Sequence, residues 1–340
     1  MEDIRFIAEW EECRAIVVTL PASFTDWDYI LEESQAQYRR LVEAFTGAGY
    51  HCIVIAPSED YARQVLGAAT VDTDKVTVKC IEYNDTWVRD YGPLAVVKDG
   101  RARLLDFGFN GWGLKFAADK DNLVNSRGLV PQHLYRNERD FELEGGSVDT
   151  DGEGTVLTTS RCLCSPNRNG GRTKAELNEI LRRRLGASHV LWLDYGYLSG
   201  DDTDSHIDTL CRMAPGNVIL FTGCRNMDDE HFEPLLAMRA QLTLMRTPEG
   251  DPYNLVELPL PDPIFDEDGH RLPASYANYL VTPRHIFMPT YNQPQNDMTA
   301  CQTMRIAFPD HEVVAVECLT LIKQHGSLHC ATMQLPFDLD

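Results

Sequence analysis

Apolar and polar positions along this chain alternate between two periods. Residues 14–20 (RAIVVTL) and 51–56 (HCIVIA) are continuous apolar runs of strand length, and an amphipathic stretch of helical length, 26–47, separates them. Ser58 before Glu59 and Asp60 marks a helix start, because acidic side chains suit a first turn. A further strand, 76–81, precedes a hairpin of 94–98 and 101–107 joined by Asp99-Gly100. Glu142 to Ser147 opens a second hairpin that turns within 149–154. Thr173 with Glu176 forms a capping box and Gly186 a C-terminal cap, which predicts a helix over 174–185.

The same alternation continues to the end of the chain. Strands are expected at 189–193, 217–222, 276–282, 285–289 and 312–317, and helices near 229–240 and 296–308. Two strands, a helix and a strand recur in that order, without a repeat at the level of residues. No low-complexity linker or break in composition divides the chain. The expectation is an α/β fold in one domain, 1–340.

Composition narrows the function. Of 340 residues 43% are hydrophobic and 24% charged, which is the balance of a globular protein with a large core. The start, Met1 to Arg5, is charged and lacks a signal peptide's apolar region, and no apolar run has membrane-span length. A cytoplasmic protein without membrane partners is expected. Asp and Glu number 52 against 31 Lys and Arg, a net charge of −21. That field attracts small cations and repels nucleic acid, whose phosphates need basic patches. The 10 cysteines are scattered, with no C-x-x-C pair, so structural zinc and disulfides are not expected.

Three stretches carry candidate chemistry. Gln324-His325-Gly326-Ser327-Leu328-His329-Cys330 places a thiol where a glycine-bearing turn leads into a short strand. A nucleophile also needs a base and a means of holding the electrophile. Asp202-Thr203-Asp204-Ser205-His206-Ile207-Asp208 offers an imidazole among carboxylates, with His206 and Asp208 on one face if the segment is extended. Trp87-Val88-Arg89-Asp90-Tyr91-Gly92-Pro93 should be a loop at a strand end. Each has a plainer reading: a buried structural thiol, an acidic surface turn or a metal site, and a local Arg89–Asp90 ion pair. Phe107-Gly108-Phe109-Asn110-Gly111-Trp112-Gly113 reads as a packed loop or as a lid over a ligand, and Glu144-Gly145-Gly146 as a bulge or a close backbone approach beside a carboxylate.

Together and in this order, the W-x-R-D-x-G-P, E-G-G-S and H-x-D motifs and the Cys330 segment resemble the agmatine deiminase and bacterial-type peptidylarginine deiminase family. The resemblance runs from Ala8-Glu9-Trp10-Glu11 to Cys330. It implies a five-bladed α/β propeller (pentein) of ββαβ units around a central active site, and a possible homo-oligomer. It also implies Cys330 as nucleophile, His206 as general acid/base, Asp90 and Asp208 as the grip on a guanidinium, and Glu144 as the acidic residue beside the histidine. Trp87, Asp202 and Asp204 are expected to contact a small cationic guanidine, agmatine first, with free or peptidyl arginine, or binding of a guanidine or polyamine without turnover, as the alternatives. No cofactor or metal is expected. His325 and His329 are expected to support the nucleophile without touching substrate. Two departures stand out: Gln324-His325-Gly326-Ser327 replaces a run of glycines common before the cysteine, and Thr19-Leu20-Pro21 replaces a tryptophan-proline pair.

Overall fold

The computed structural model describes residues 4–67 and 70–338. Met1, Glu2 and Asp3, which carry part of the expectation of no signal peptide, lie outside the described residues. Within them the chain is α/β, and its strands form five sheets. The expected strands and helices are present with boundaries shifted by a few residues, and two expectations change. The strand expected over 276–282 is only Leu280–Val281, because Tyr276 to Tyr279 turn inward instead of pairing. Four strands were not foreseen: Ile4–Phe6, Tyr135–Glu142, Cys211–Ala214 and Asn254–Pro259. Tyr135–Glu142 (YRNERDFE) is mostly polar and partly exposed, so it carries no apolar run to read.

One connection recurs in all five sheets: an antiparallel pair whose second strand then pairs in parallel with the next. Leu94–Lys98 pairs antiparallel with Arg101–Gly108, which pairs in parallel with Tyr135–Glu142. Val148–Thr150, Thr155–Thr159 and His189–Leu193 repeat the pattern, as do Cys211–Ala214, Val218–Gly223 and Asn254–Pro259. Leu280–Val281, His285–Thr290 and Glu312–Glu317 form the fourth set. In the fifth, Met333–Leu335 pairs with Ala15–Thr19, which runs parallel to His51–Ala56, so the two ends of the chain share a sheet. A parallel pair needs a crossover, usually a helix. Leu31–Gly47, Lys174–Leu185, Phe232–Leu242 and Pro294–Ala307 supply four of these crossovers.

Packing ties the sheets to one another. The helix Leu31–Gly47 buries Tyr38, Leu41, Val42 and Phe45. The Phe45 ring meets Phe287 edge-on with centroids 4.8 Å apart, which joins the fifth sheet's crossover to the fourth sheet. Gln37 Nε2 donates to the Glu317 carbonyl at 2.7 Å across the same junction. Truncating a buried aromatic of this kind costs about 3–5 kcal/mol. Among the described residues no helix is long and apolar enough to cross a membrane.

Candidate active site

The segment that leads into the first strand of each sheet is short, buried and polar, and together these segments build one cluster. Val88–Tyr91 precedes Leu94–Lys98 and carries Asp90. Glu144 caps the one-turn helix Gly145–Ser147 ahead of Val148–Thr150. His206 caps Ile207–Thr209, which holds Asp208 ahead of Cys211–Ala214. Cys330 lies in the turn before Met333–Leu335. The fourth sheet adds Asn278, ahead of Leu280–Val281.

Cys330 is 6% exposed. Its Sγ accepts from Asn278 Nδ2 at 3.2 Å and lies 3.6 Å from Asp208 Oδ2. Asn278 Oδ1 in turn accepts the backbone N–H of His329 (2.9 Å) and of Cys330 (3.3 Å), so one amide fixes both the turn and the thiol. Burial, and then the charges of Asp208 and Asp90, push the thiol well above its ordinary range. The protein without a ligand therefore holds Cys330 as the thiol.

Asp90 accepts from Trp112 Nε1 at 2.8 Å and from the Gly146 N–H at 2.9 Å. Burial raises its pKa, with Asp208 and Glu144 adding to the effect and His206 and Trp112 opposing it. Asp208 goes the other way. Burial acts to raise it, but the hydrogen bond and charge of His329, with the charges of His206 and Arg212, outweigh burial and lower it. Asp208 Oδ2 accepts from His329 Nδ1 at 2.8 Å, whereas Oδ1 is buried without a partner. Gly146 makes this convergence possible: a Cβ there would lie 2.7 Å from His206 Nδ1 and 2.9 Å from both Asp208 Oδ2 and Asp90 Oδ1.

His206 is fully buried, 3.6 Å from Asp90 Oδ1 through Nδ1, and neither ring nitrogen has a hydrogen-bond partner. The segment before it is not extended. Asp204 and Ser205 both occupy the left-handed region, at φ 66° and 63°, and Asp208 sits in a helical turn. Two such non-glycine residues cost about 1–3 kcal/mol each. Asp201 accepts from the backbone of Thr203 (3.1 Å) and Ser205 (2.7 Å), and Arg168 donates to the Thr203 carbonyl at 3.0 Å, which pins the turn.

Arg168 is fully buried and binds two carboxylates, Glu144 Oε1 through Nε and Asp204 Oδ2 through Nη1, both at 2.6 Å. Asp204 also pairs with Lys115 at 3.0 Å. Its carboxylate therefore faces protein cations and is absent from the cavity lining, unlike the expected substrate contact. Asp202 does line the cavity, and burial raises its pKa.

That cavity encloses about 650 Å³ including its open mouth. Asp90, Cys330, Trp87 and Trp112 belong to its lining, with His206, Asp208 and Glu144 one layer deeper. Gly326 passes so close to Trp87 that a Cβ would lie 2.5 Å from ring carbons. Asp26, Asp85 and Asp202 also line it, and neither Lys nor Arg does. Burial, reinforced by Asp26 and Asp202, pushes Asp85 up to about 7. The loop around Gly111 is packed rather than open, with Trp112 5% exposed.

Sequence reasoning missed Asn278, Arg168, Asp26 and Asp85. Their spacing in the chain carries no motif; only Asn278 has a findable signal, its place ahead of a strand in the repeated sheet pattern. His325 Nδ1 bonds the Gly200 carbonyl at 2.8 Å and the residue lines the cavity, whereas His329 is buried behind it.

Comparison with known proteins gives a consistent relationship. The family model for Porphyromonas-type peptidyl-arginine deiminase matches residues 5–336. A relative from Shewanella baltica, provisionally named agmatine deiminase, is 33% identical over 355 aligned residues covering 97% of this chain and 93% of its own. The substrate-bound structure of a cysteine-to-serine variant of the C. jejuni agmatine deiminase shares 34% identity, covers 100% of this chain and 98% of its own, and has a TM-score of 0.91. A Porphyromonas gingivalis structure, provisionally named arginine deiminase, shares 41% identity over 98% of each chain, also with a TM-score of 0.91.

Proposed function

The chain belongs to the Porphyromonas-type peptidyl-arginine deiminase family, and from that premise we propose that it is a cysteine hydrolase converting agmatine and water to N-carbamoylputrescine and ammonia. The observation that carries this reading is the placement of two carboxylates, Asp90 and Asp208, around the thiol of Cys330 and the unpartnered imidazole of His206. A guanidinium is planar, cationic and a poor electrophile in water. Paired carboxylates match its fork of N–H donors and hold the central carbon at the sulfur. Asp208 Oδ1, buried without a partner, is the acceptor such a ligand would satisfy.

Burial and then the charges of Asp208 and Asp90 keep Cys330 protonated, and entry of the cation offsets those two charges. The Cys330 proton passes to His206, the resulting thiolate attacks the guanidinium carbon and a C–S bond forms. His206 gives a proton to the departing nitrogen, the C–N bond breaks and ammonia leaves. The S-alkylthiouronium that remains is attacked by water, from which His206 removes a proton. The C–S bond then breaks, returning the thiolate and releasing the ureido product. Positioned proton transfer of this kind contributes about 10²–10⁴-fold. Glu144, fixed by Arg168 at 2.6 Å, lies with a carboxylate oxygen within 4.8 Å of the His206 ring.

Agmatine is preferred to arginine because the cavity lining offers Asp26, Asp85 and Asp202 to a distal ammonium, and no Lys or Arg to a carboxylate. Arg89, the arginine of the W-x-R-D-x-G-P motif, is buried against Glu9 and Gln334 instead. The second reading, deimination of free or peptidyl arginine, draws on the family name and the Porphyromonas gingivalis relative. We also read the five sheets as blades of one closed propeller, a single domain over 1–340 with the cluster at its centre.

Purified protein assayed with agmatine, free arginine and an arginyl peptide, beside Cys330→Ser, tests the reading. Ureido product from agmatine that disappears in the variant is expected. Product mainly from arginine or peptide would transfer the same chemistry to the second reading. No product from a folded protein would leave a binding role in its place.

A further inference from the structure

Cys162 stands beside the acid/base pair with no task in the proposed hydrolysis. It lies in the one-turn helix Ser160–Leu163 and is fully buried, with Sγ 4.0 Å from Glu144 Oε2. One ligating atom each from Glu144, Cys162 and His206 falls within 4.8 Å of the other two. Sulfur, imidazole nitrogen and carboxylate oxygen are the donors that Zn²⁺ takes, at about 2.0–2.3 Å, which at tetrahedral angles sets the ligand atoms roughly 3.3–3.8 Å apart. Shifts on the order of 1 Å close the set.

Two further observations point to a ligand here. His206 is 0% exposed, yet both ring nitrogens lack partners, so a lone pair is available inside the protein. Arg168 engages Glu144 through Oε1, leaving Oε2 toward Cys162. The cation of Arg168 is already balanced by Glu144 and Asp204, and Asp90 adds negative charge near His206.

We propose that Glu144, Cys162 and His206 form an inhibitory site for a soft divalent cation of the Zn²⁺ class. Binding forms a metal–sulfur bond as the Cys162 thiol releases its proton to solvent, with no change of oxidation state. Water completes the coordination. Once ligated, His206 can no longer carry a proton to or from the substrate. The inhibition therefore rests on the proposed function, but the binding does not.

Co²⁺ serves as the spectroscopic probe, since a thiolate ligand gives it a near-ultraviolet charge-transfer band. Wild type and Cys330→Ala are expected to bind one Co²⁺ and show the band, with Zn²⁺ displacing it, whereas Cys162→Ala loses it. Cys162→Ser serves the same purpose if the alanine variant does not fold, because a hydroxyl gives no such band. In the agmatine assay, half-inhibition of the Cys162 variant should need at least about tenfold more Zn²⁺ than wild type, one ligand having been removed. A band that follows Cys330, no binding by the wild type, or equal Zn²⁺ sensitivity of the Cys162 variant overturns the site. A wild type inactive on every guanidine tested refutes the hydrolase reading, and the cobalt spectrum still decides the site.

Discussion

His329 Nδ1 lies 2.8 Å from Asp208 Oδ2, the same oxygen that stands 3.6 Å from the Cys330 sulfur. The other ring nitrogen, Nε2, lies 2.8 Å from Glu9 Oε1. A neutral imidazole has one N–H and cannot donate to both. Burial works to raise Glu9, but Arg89, His329 and Arg212 outweigh it and hold it well below the usual carboxylate range. The residue next to the nucleophile thus bridges two buried carboxylates and helps keep Asp208 able to accept from a cation.

Replacing the His329 ring moves the pH profile. In His329→Gln the pKa of Asp208 rises, because the interactions that outweigh burial are lost. Protonated Asp208 cannot grip a guanidinium, so activity falls as pH drops through a higher value than before. The acid limb of kcat/KM for agmatine should move up by about one pH unit, one unit being 1.36 kcal/mol. A limb that stays in place would separate His329 from Asp208.

The thiol of Cys330 should resist a neutral alkylating agent in the free protein. Burial and two carboxylates keep it protonated, so its reaction with iodoacetamide should rise with pH without a plateau below about pH 9. An amidinium-bearing alkylator carries the cation that Asp90 and Asp208 accept and should react faster at pH 7. Equal rates for the two reagents would remove the carboxylate pair from the mechanism.

Asp85 links stability to pH. Its folded value of about 7 lies above that of an exposed aspartate, so ionising it costs more in the folded state than in the unfolded chain. The cost appears as pH rises from about 4 to 7 and is constant above that. Asp85→Asn should therefore melt close to wild type at pH 4 and higher at pH 8. Agmatine binding should weaken in the same variant, seen as a raised KM with little change in kcat. Melting curves that keep a fixed offset from pH 4 to 8 would contradict the assignment.

Asn278→Ala removes the amide that donates to the sulfur and accepts two backbone N–H groups. Leaving those buried donors unpaired costs about 1–3 kcal/mol. Turnover should fall by roughly 10–100-fold, the worth of one or two positioned hydrogen bonds at about 1.36 kcal/mol per decade, with a lower melting temperature. Unchanged kcat with the lower melting temperature would confine Asn278 to a structural role.

Much of this is legible in the amino-acid sequence. The capping box and Gly186 located the helix Lys174–Leu185, the Asp99-Gly100 turn the strand Leu94–Lys98, and apolar patterning the strands His51–Ala56, His189–Leu193 and Glu312–Glu317, all at their observed bounds. Those segments have one face or both faces in the core, and burial writes its period into the sequence. Asp90, Glu144, His206, Asp208 and Cys330 were legible as a set because each sits in a short motif.

What the sequence by itself determined is therefore the alternation of strands and helices and the chemical types available at each strand entry. Tertiary structure decided which of those groups meet. Arg168 carries no local signal, because its partners Glu144 and Asp204 lie 24 and 36 positions away and choose it only when their sheets come together. Asp204, chemically the twin of Asp202 two positions earlier, turns to Arg168 and Lys115 while Asp202 lines the cavity. Backbone conformation at φ 66° separates the two, and the contacts that hold that conformation exist only in the folded protein.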